Sequence, residues 1–206
     1  MIKPGKIVCV GRNYVDHAAE LGNVMPERPL LFLKPPSAVI GCGQQIVLPR
    51  ASQRVEHEGE IGVVVGRCMK AVSEDEALSG IRGITCVNDV TARDLQRLDG
   101  QWTRAKGFDT FCPVGPQIVP LDDLANLESI EVVCRVNGQQ RQRGASSDMA
   151  FKIPAILSYI SRIMTLFPDD LVATGTPAGV GPLFAGDVVE VEIPGVGVLS
   201  NPVVAE

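Results

Sequence analysis

The chain is a succession of short apolar runs separated by breaks that contain glycine or proline. Runs over Lys6–Val10, Leu30–Leu33, Ile46–Leu48, Ile84–Val90, Gly115–Val119, Ser129–Val136 and Leu171–Thr174 predict strands. Asn137-Gly138 predicts a tight hairpin that returns through Gln139–Arg143, and Val188–Ile193 with Val196–Val204 predicts a second hairpin near the end of the sequence. Helical signals are fewer. Val15–Leu21 reads as a short helix stopped by Gly22, and Ser73-Glu74-Asp75-Glu76 is a capping box that opens a helix to about Ser79. Ile153–Leu166 carries apolar residues at Ile153, Ile156, Leu157, Ile160, Ile163 and Met164, the stripe of a helix with one buried face, and Pro154 suits its first turn. Lys34-Pro35-Pro36 forces an extended turn, and Thr91–Leu98 is a loop or short helix. The 21 glycines and 15 prolines add to the case for many turns. The fold class expected is mainly β (α+β), one domain over residues 1–206, with a few helices packed on the strands.

One stretch departs from the apolar-run pattern. In Glu56-His57-Glu58-Gly59-Glu60-Ile61-Gly62-Val63-Val64-Val65-Gly66, acids alternate and then give way to a β-branched run. Alternate side chains of a strand share a face, so Glu56, Glu58 and Glu60 are expected to point the same way from an element that ends in the core. Burying them unpaired costs several kcal/mol. A hard divalent cation such as Mg²⁺ answers that need, and a solvated strand end with three scattered acids is the other reading. His57-Glu58 begins like a zinc-protease helix, but Ile61 stands where the second histidine belongs, so His57 is read as structural.

Composition narrows the function classes. A net charge of −5 with no run of basic residues argues against nucleic acid. No long apolar span or signal-peptide pattern is present, which gives the expectation of a cytoplasmic protein without membrane partners. The six cysteines lack zinc-site spacing and are read as small core residues. The Gly175–Gly181 segment fits neither a P-loop nor a dinucleotide fingerprint. It reads as a tight turn after a strand, with backbone N–H groups and Thr176 as a possible cradle for a substrate carboxylate. Asp89, closing an apolar strand, is either a third metal ligand or a cap. Lys106, by its neighbours alone, reads as a surface residue. His17 and Glu20 share a helix face, as a base with its orienting acid or as a solvent-facing pair.

Taken together, six stretches resemble the fumarylacetoacetate hydrolase family, on the side of its small acylpyruvate hydrolases and oxaloacetate decarboxylases. They are Val10–Tyr14 with Asp16-His17, Leu31–Pro35, His57–Glu60, Asp89–Asp94, Trp102–Lys106 and Thr174–Pro182, in the family's order and over nearly the whole chain. The resemblance implies a mixed β-sandwich roll, a homodimer, and Mg²⁺ or Mn²⁺ held by Glu58, Glu60 and Asp89, with Glu56 behind them. It implies catalytic roles for His17, Glu20 and Lys106, which overturns the surface reading of Lys106. It implies substrate contacts from Arg12, Arg93, Gln96 and Thr176, and a lid over residues 12–24. The implied reaction is hydrolysis of the C–C bond of acylpyruvates, or decarboxylation of oxaloacetate, through an enolate stabilised by the ion. Such a hydrolase or lyase of small 2-oxo acids would serve aromatic catabolism. An isomerase or tautomerase on the same scaffold is the alternative. The sequence lacks the N-terminal domain of the large fumarylacetoacetases, which points away from their substrate, and it is shorter between Gln96 and Trp102 than animal relatives.

Overall fold

Continuous β-branched runs become the covered central strands, and alternating runs become strands with one covered face. The computed structural model describes residues 2–20, 22, 24–124 and 126–206. Its strands are β1 (Ile7–Gly11), β2 (Leu30–Lys34), β3 (Val39–Ile40), β4 (Ile46–Leu48), β5 (Val55–His57), β6 (Gly59–Val65), β7 (Ile81–Asn88) and β8 (Thr91–Ala92). They continue with β9 (Cys112–Val119), β10 (Glu131–Val136), β11 (Gln139–Ala145), β12 (Leu171–Ala173), β13 (Gly181–Pro182), β14 (Val188–Ile193) and β15 (Gly197–Ala205). The α-helices are α1 (Val15–Glu20), α2 (Glu74–Leu78), α3 (Arg93–Asp99), α4 (Thr103–Lys106) and α5 (Ile153–Ile163).

A seven-stranded mixed sheet runs in the order β2-β1-β12-β6-β7-β9-β3, with β1/β12 and β3/β9 parallel and the other pairs antiparallel. Every residue of β6 is buried, as expected of a strand at its centre. A five-stranded sheet, β11-β10-β14-β15-β4, lies against it through β14 and β15 on β6, β7 and β9. In β14 exposed or half-buried positions alternate with buried ones, so one face meets the core. Ile61, Val63 and Ile84 from the first sheet meet Cys134, Val191 and Leu199 from the second in one apolar core. A small sheet, β13-β5-β8, sits at the edge of this core. The fold is mainly β with few helices, as expected.

Most predicted elements are present within a residue or two. Asn137 and Gly138 both take positive φ, 53° and 74°, as a type I′ hairpin turn requires. The capping box at Ser73 forms, with Glu76 accepting from the Ser73 backbone at 2.8 Å. Four of the six cysteines are buried and all are free. Among the described residues no helix is long and apolar enough to cross a membrane. The expected helix end at Leu21 and part of the 12–24 segment lie outside the described residues.

Two expectations need correction. The acidic stretch is not one strand: the chain leaves the small sheet after His57 and joins the large sheet at Gly59, so Glu58 sits in the break between them. Strict alternation therefore fails, and Glu56 turns to Arg93 and Arg54 instead of joining its neighbours. The last helix ends at Ile163, because Met164 is extended and Leu166 exchanges backbone hydrogen bonds of 2.9 Å with Met69. Tertiary pairing there overrides a helical pattern that continues in sequence.

The α5 stripe yields a paired expectation. Ile156 is fully buried and Ile163 is 56% exposed. Ile156→Ala should lower unfolding stability by about 3 kcal/mol, and Ile163→Ala by less than about 0.5 kcal/mol. Urea unfolding of the two variants measures both, and similar losses would contradict the assigned face.

Candidate active site

The turn between β6 and its neighbours brings three acids together. Glu60 lies at the start of β6, Asp89 immediately after β7, and Glu58 in the break before β6. The junction is locked from both sides: the Asp89 backbone N–H donates to the Glu58 carbonyl at 2.8 Å, and the Glu58 N–H donates to Asn88 Oδ1 at 3.0 Å. Glu58, Glu60 and Asp89 are all buried, and each places a carboxylate oxygen within 4.8 Å of the others.

Cations arrive from three other segments. Lys106, in the single turn of α4, donates to Glu58 Oε2 at 2.8 Å and to Asp89 Oδ2 at 2.6 Å. Lys34, the last residue of β2, donates to Asp89 Oδ1 at 2.6 Å and to the Val90 carbonyl at 3.0 Å. Arg93 opens α3 and bridges Glu56, at 2.7 Å, and Glu58. Glu60 has no such cation. Its only hydrogen bond among the described residues comes from the Gly175 N–H at 2.8 Å.

The proton affinities follow from this distribution. Burial would raise the Glu58 carboxyl, but Lys106 and Arg93 outweigh it and hold the group well below the usual range. Burial, then the charges of Asp89 and Glu58, push Glu60 well above its ordinary value. Burial would lower the Lys106 ammonium, yet Asp89 and Glu58 outweigh it and raise it, so Lys106 stays a cation and is not a base. The donor set fits a hard divalent ion: carboxylate oxygens only, close together, with one acid lacking a partner of opposite charge.

His17 and Glu20 sit one turn apart on α1, with Nδ1 3.3 Å from Glu20 Oε2. Glu20 in turn accepts from the Gly179 N–H at 3.1 Å. His17 is only 5% exposed, so the pair is not a solvent-facing one. The Gly-rich segment does cradle carboxylates, but they are the protein's own: Gly175 holds Glu60 and Gly179 holds Glu20. Gly179 has φ +100°, and a Cβ there would lie 2.0 Å from the Arg141 carbonyl oxygen, so only glycine serves.

A cavity of about 210 Å³ joins these parts. It is lined by Arg12, His17, Glu58, Glu60, Asp89, Arg93, Gln96, Lys106 and Thr176, with Glu20 behind His17. Arg93 Nη1 donates to Gln96 Oε1 at 2.6 Å. Thr176 spends its hydroxyl hydrogen on the Gly59 carbonyl at 2.8 Å and accepts from Gln142 at 2.7 Å. His57 is buried with Nδ1 3.0 Å from Gln142 Oε1, a supporting position as read from sequence. Phe32 and Trp102 form an edge-to-face pair with centroids 5.1 Å apart on the apolar wall. Sequence reasoning missed Lys34, whose one signal is a charge ending the apolar run Leu30–Leu33, and it missed Arg97, which also lines the cavity.

A mainly β roll that encloses a small cavity of clustered acids, a buried lysine and a histidine–glutamate pair defines a class of enzyme built to handle small anions. The chain belongs to the fumarylacetoacetate hydrolase family: the family model described as fumarylacetoacetate (FAA) hydrolase C-terminal matches residues 6–204. It is 53% identical over 200 residues to an uncharacterized protein of Methanocaldococcus jannaschii, covering 97% of this chain and 83% of that protein. It is 42% identical over 211 residues to human mitochondrial oxaloacetate tautomerase FAHD2A, covering 98% of this chain and 67% of that protein. The solved structure of 5-carboxymethyl-2-hydroxymuconate delta-isomerase from Mycobacterium smegmatis superposes with a TM-score of 0.92 at 47% identity, over 100% of this chain and 80% of that one.

The ion pairs make a stability expectation. Lys106→Met strips one partner from both Glu58 and Asp89 and should lower the stability of the cation-free protein by about 3 kcal/mol. Guanidinium unfolding reads the loss, which should shrink as pH falls, because an unpaired carboxylate is relieved by protonation. A loss that does not change with pH would argue against the pairing.

Proposed function

We propose that the protein is a divalent-cation-dependent enzyme of small 2-oxo acids that works through an enolate, and that its leading reaction is keto–enol isomerisation of a substrate such as oxaloacetate. The observation that carries this reading is the placement of the His17–Glu20 pair and the Glu58–Glu60–Asp89 cluster on one cavity of about 210 Å³. That volume suits a small metabolite better than a drug-sized ligand. The names of the tautomerase and isomerase relatives support proton movement as the chemistry.

Glu58, Glu60 and Asp89 would hold Mg²⁺ or Mn²⁺, which supplies Lewis acidity toward the carboxylate and keto oxygens of a 2-oxo acid. Lys106 uses two of its three N–H donors on Glu58 and Asp89, so the third is available to the oxygen on which enolate charge develops. His17 Nδ1 donates to Glu20, which leaves Nε2 as the base that takes a proton from the substrate carbon and returns it. Gly179 fixes Glu20, and Phe32 with Trp102 shields the cavity from water. Arg12, Arg93, Gln96 and Thr176 line the cavity as substrate contacts, with Thr176 limited to its acceptor side.

The second reading is C–C bond cleavage, by hydrolysis of acylpyruvates or decarboxylation of oxaloacetate. The same Nε2 favours it, since a base facing a cavity activates water as well as it abstracts a carbon-bound proton. His17→Gln should lower isomerisation kcat about 10²- to 10⁴-fold, read from the ultraviolet absorbance of the enol. Decarboxylation needs no base and should fall far less. Equal losses in both reactions would remove His17 from the proton-transfer role.

The cation has its own test. Glu60 is protonated above the usual carboxylate range, and an ion binds its charged form, so Mn²⁺ binding should release protons and tighten as pH rises. Calorimetry in buffers of different ionisation enthalpy measures both effects, and Asp89→Ala should abolish them. Tight binding that neither releases protons nor needs Asp89 would place the ion elsewhere.

A further inference from the structure

The outer end of the cavity carries positive charge that the inner cluster does not use. Arg93 and Lys106 line the cavity, but both are tied to internal carboxylates. Arg12 and Arg97 line the same cavity, and neither forms an ion pair or side-chain hydrogen bond among the described residues. Arg93, Gln96 and Arg97 stand at i, i+3 and i+4 of α3, so one helix face looks onto the cavity. Along that face exposure increases, from Arg93 at 2% through a half-buried Gln96 to an exposed Arg97. Arg97 therefore marks the mouth. Arg12 reaches the cavity from a different element, the link between β1 and α1, and holds a left-handed φ of 57° that an unstrained chain would avoid.

We propose that Arg97, together with Arg12, receives a second carboxylate at the far end of the substrate, so that the cavity selects 2-oxo dicarboxylates over 2-oxo monocarboxylates. This rests on the 2-oxo acid reading above and adds a specificity residue to it. A guanidinium without a protein acceptor presents a planar pair of N–H donors, which matches a carboxylate. The inner cluster accounts for one carboxylate and the adjacent keto oxygen, and a monoacid leaves the two arginines facing solvent. A diacid spans both ends. In a chain of net charge −5, a cationic mouth also draws dianions toward the cavity.

Trp102 is the only tryptophan in the chain and lines the cavity, so its fluorescence reports occupancy. The probes are 2-oxoglutarate and 2-oxopentanoate, equal in carbon chain and different in the distal carboxylate, titrated in the presence of Mg²⁺. The unaltered protein should bind the diacid more tightly. Arg97→Leu should cut the diacid-to-monoacid affinity ratio about tenfold, with Arg97→Lys intermediate and Arg12→Leu acting in the same direction. Arg97 is exposed, so folding is not at stake, and thermal unfolding checks it. If the unaltered protein binds both acids equally, or if the ratio is the same in both leucine variants, the distal-carboxylate role is wrong and the 2-oxo acid reading stands. If Mg²⁺ binds but neither acid does, the 2-oxo acid reading fails and takes this inference with it.

Discussion

The structure depends on one electrostatic constraint: four buried acids, Glu56, Glu58, Glu60 and Asp89, share the end of the central β-hairpin and need opposite charge. Removing a carboxylate from water costs several kcal/mol even after relaxation. No single segment supplies the remedy. Lys34 comes from an edge strand, Arg93 from α3 and Lys106 from α4, so three distant parts of the chain must close on the hairpin before its acids are tolerable. Well-packed apolar side chains in the same volume would often give equal or greater stability. A cluster of this kind is explained by what it can bind, and the acid left without a cation, Glu60, is where that explanation has most purchase.

The glycine-rich turn after β12 serves the same constraint from the other side. Backbone N–H groups are fixed dipoles, and here they are aimed at acids that side-chain cations do not reach. Gly175 N–H meets Glu60, and Gly179 N–H meets Glu20. Both glycines hold positive φ, 101° and 100°, and both pack against backbone or a buried side chain where a Cβ has no room. One loop thus sets the position of a cluster carboxylate and of the acid that orients His17. That coupling makes the distance between the acidic end and the basic end of the cavity a property of the backbone rather than of flexible side chains.

Much of this was legible in the sequence, and the misses have physical causes. Strands announced by β-branched runs, the Asn137-Gly138 turn and the Ser73 cap rest on local energetics, and local patterns encode them directly. The break at Glu58 was not legible, because whether consecutive residues pair in one sheet or two depends on strands far away in sequence. The α5 end was misread for a similar reason, since Leu166 pairs with Met69 nearly a hundred positions earlier. Lys106 looked like a surface residue on its neighbours alone. Its burial is dictated by Glu58 and Asp89, and only the resemblance to a family carried that information. Lys34 was hidden by the prolines after it, which explained a turn so well that the charge before them went unexamined.

The interior and the mouth of the cavity are constrained differently. Inside, partners are shared: Arg93 serves Glu56 and Glu58, Lys106 serves Glu58 and Asp89, and Lys34 and Lys106 divide Asp89 between them. Substitutions there are coupled, because removing one member strands another in low dielectric. At the mouth, Arg12 and Arg97 have no such obligations, and a change of either leaves the inner pairs intact. A fold arranged in this way keeps the machinery for enolate formation fixed while the group at the far end of the substrate is free to vary. Reaction type is then decided by what the substrate does after the enolate forms, by taking a proton, losing carbon dioxide or accepting water. The residues that choose the substrate are the ones the stability of the protein does not require.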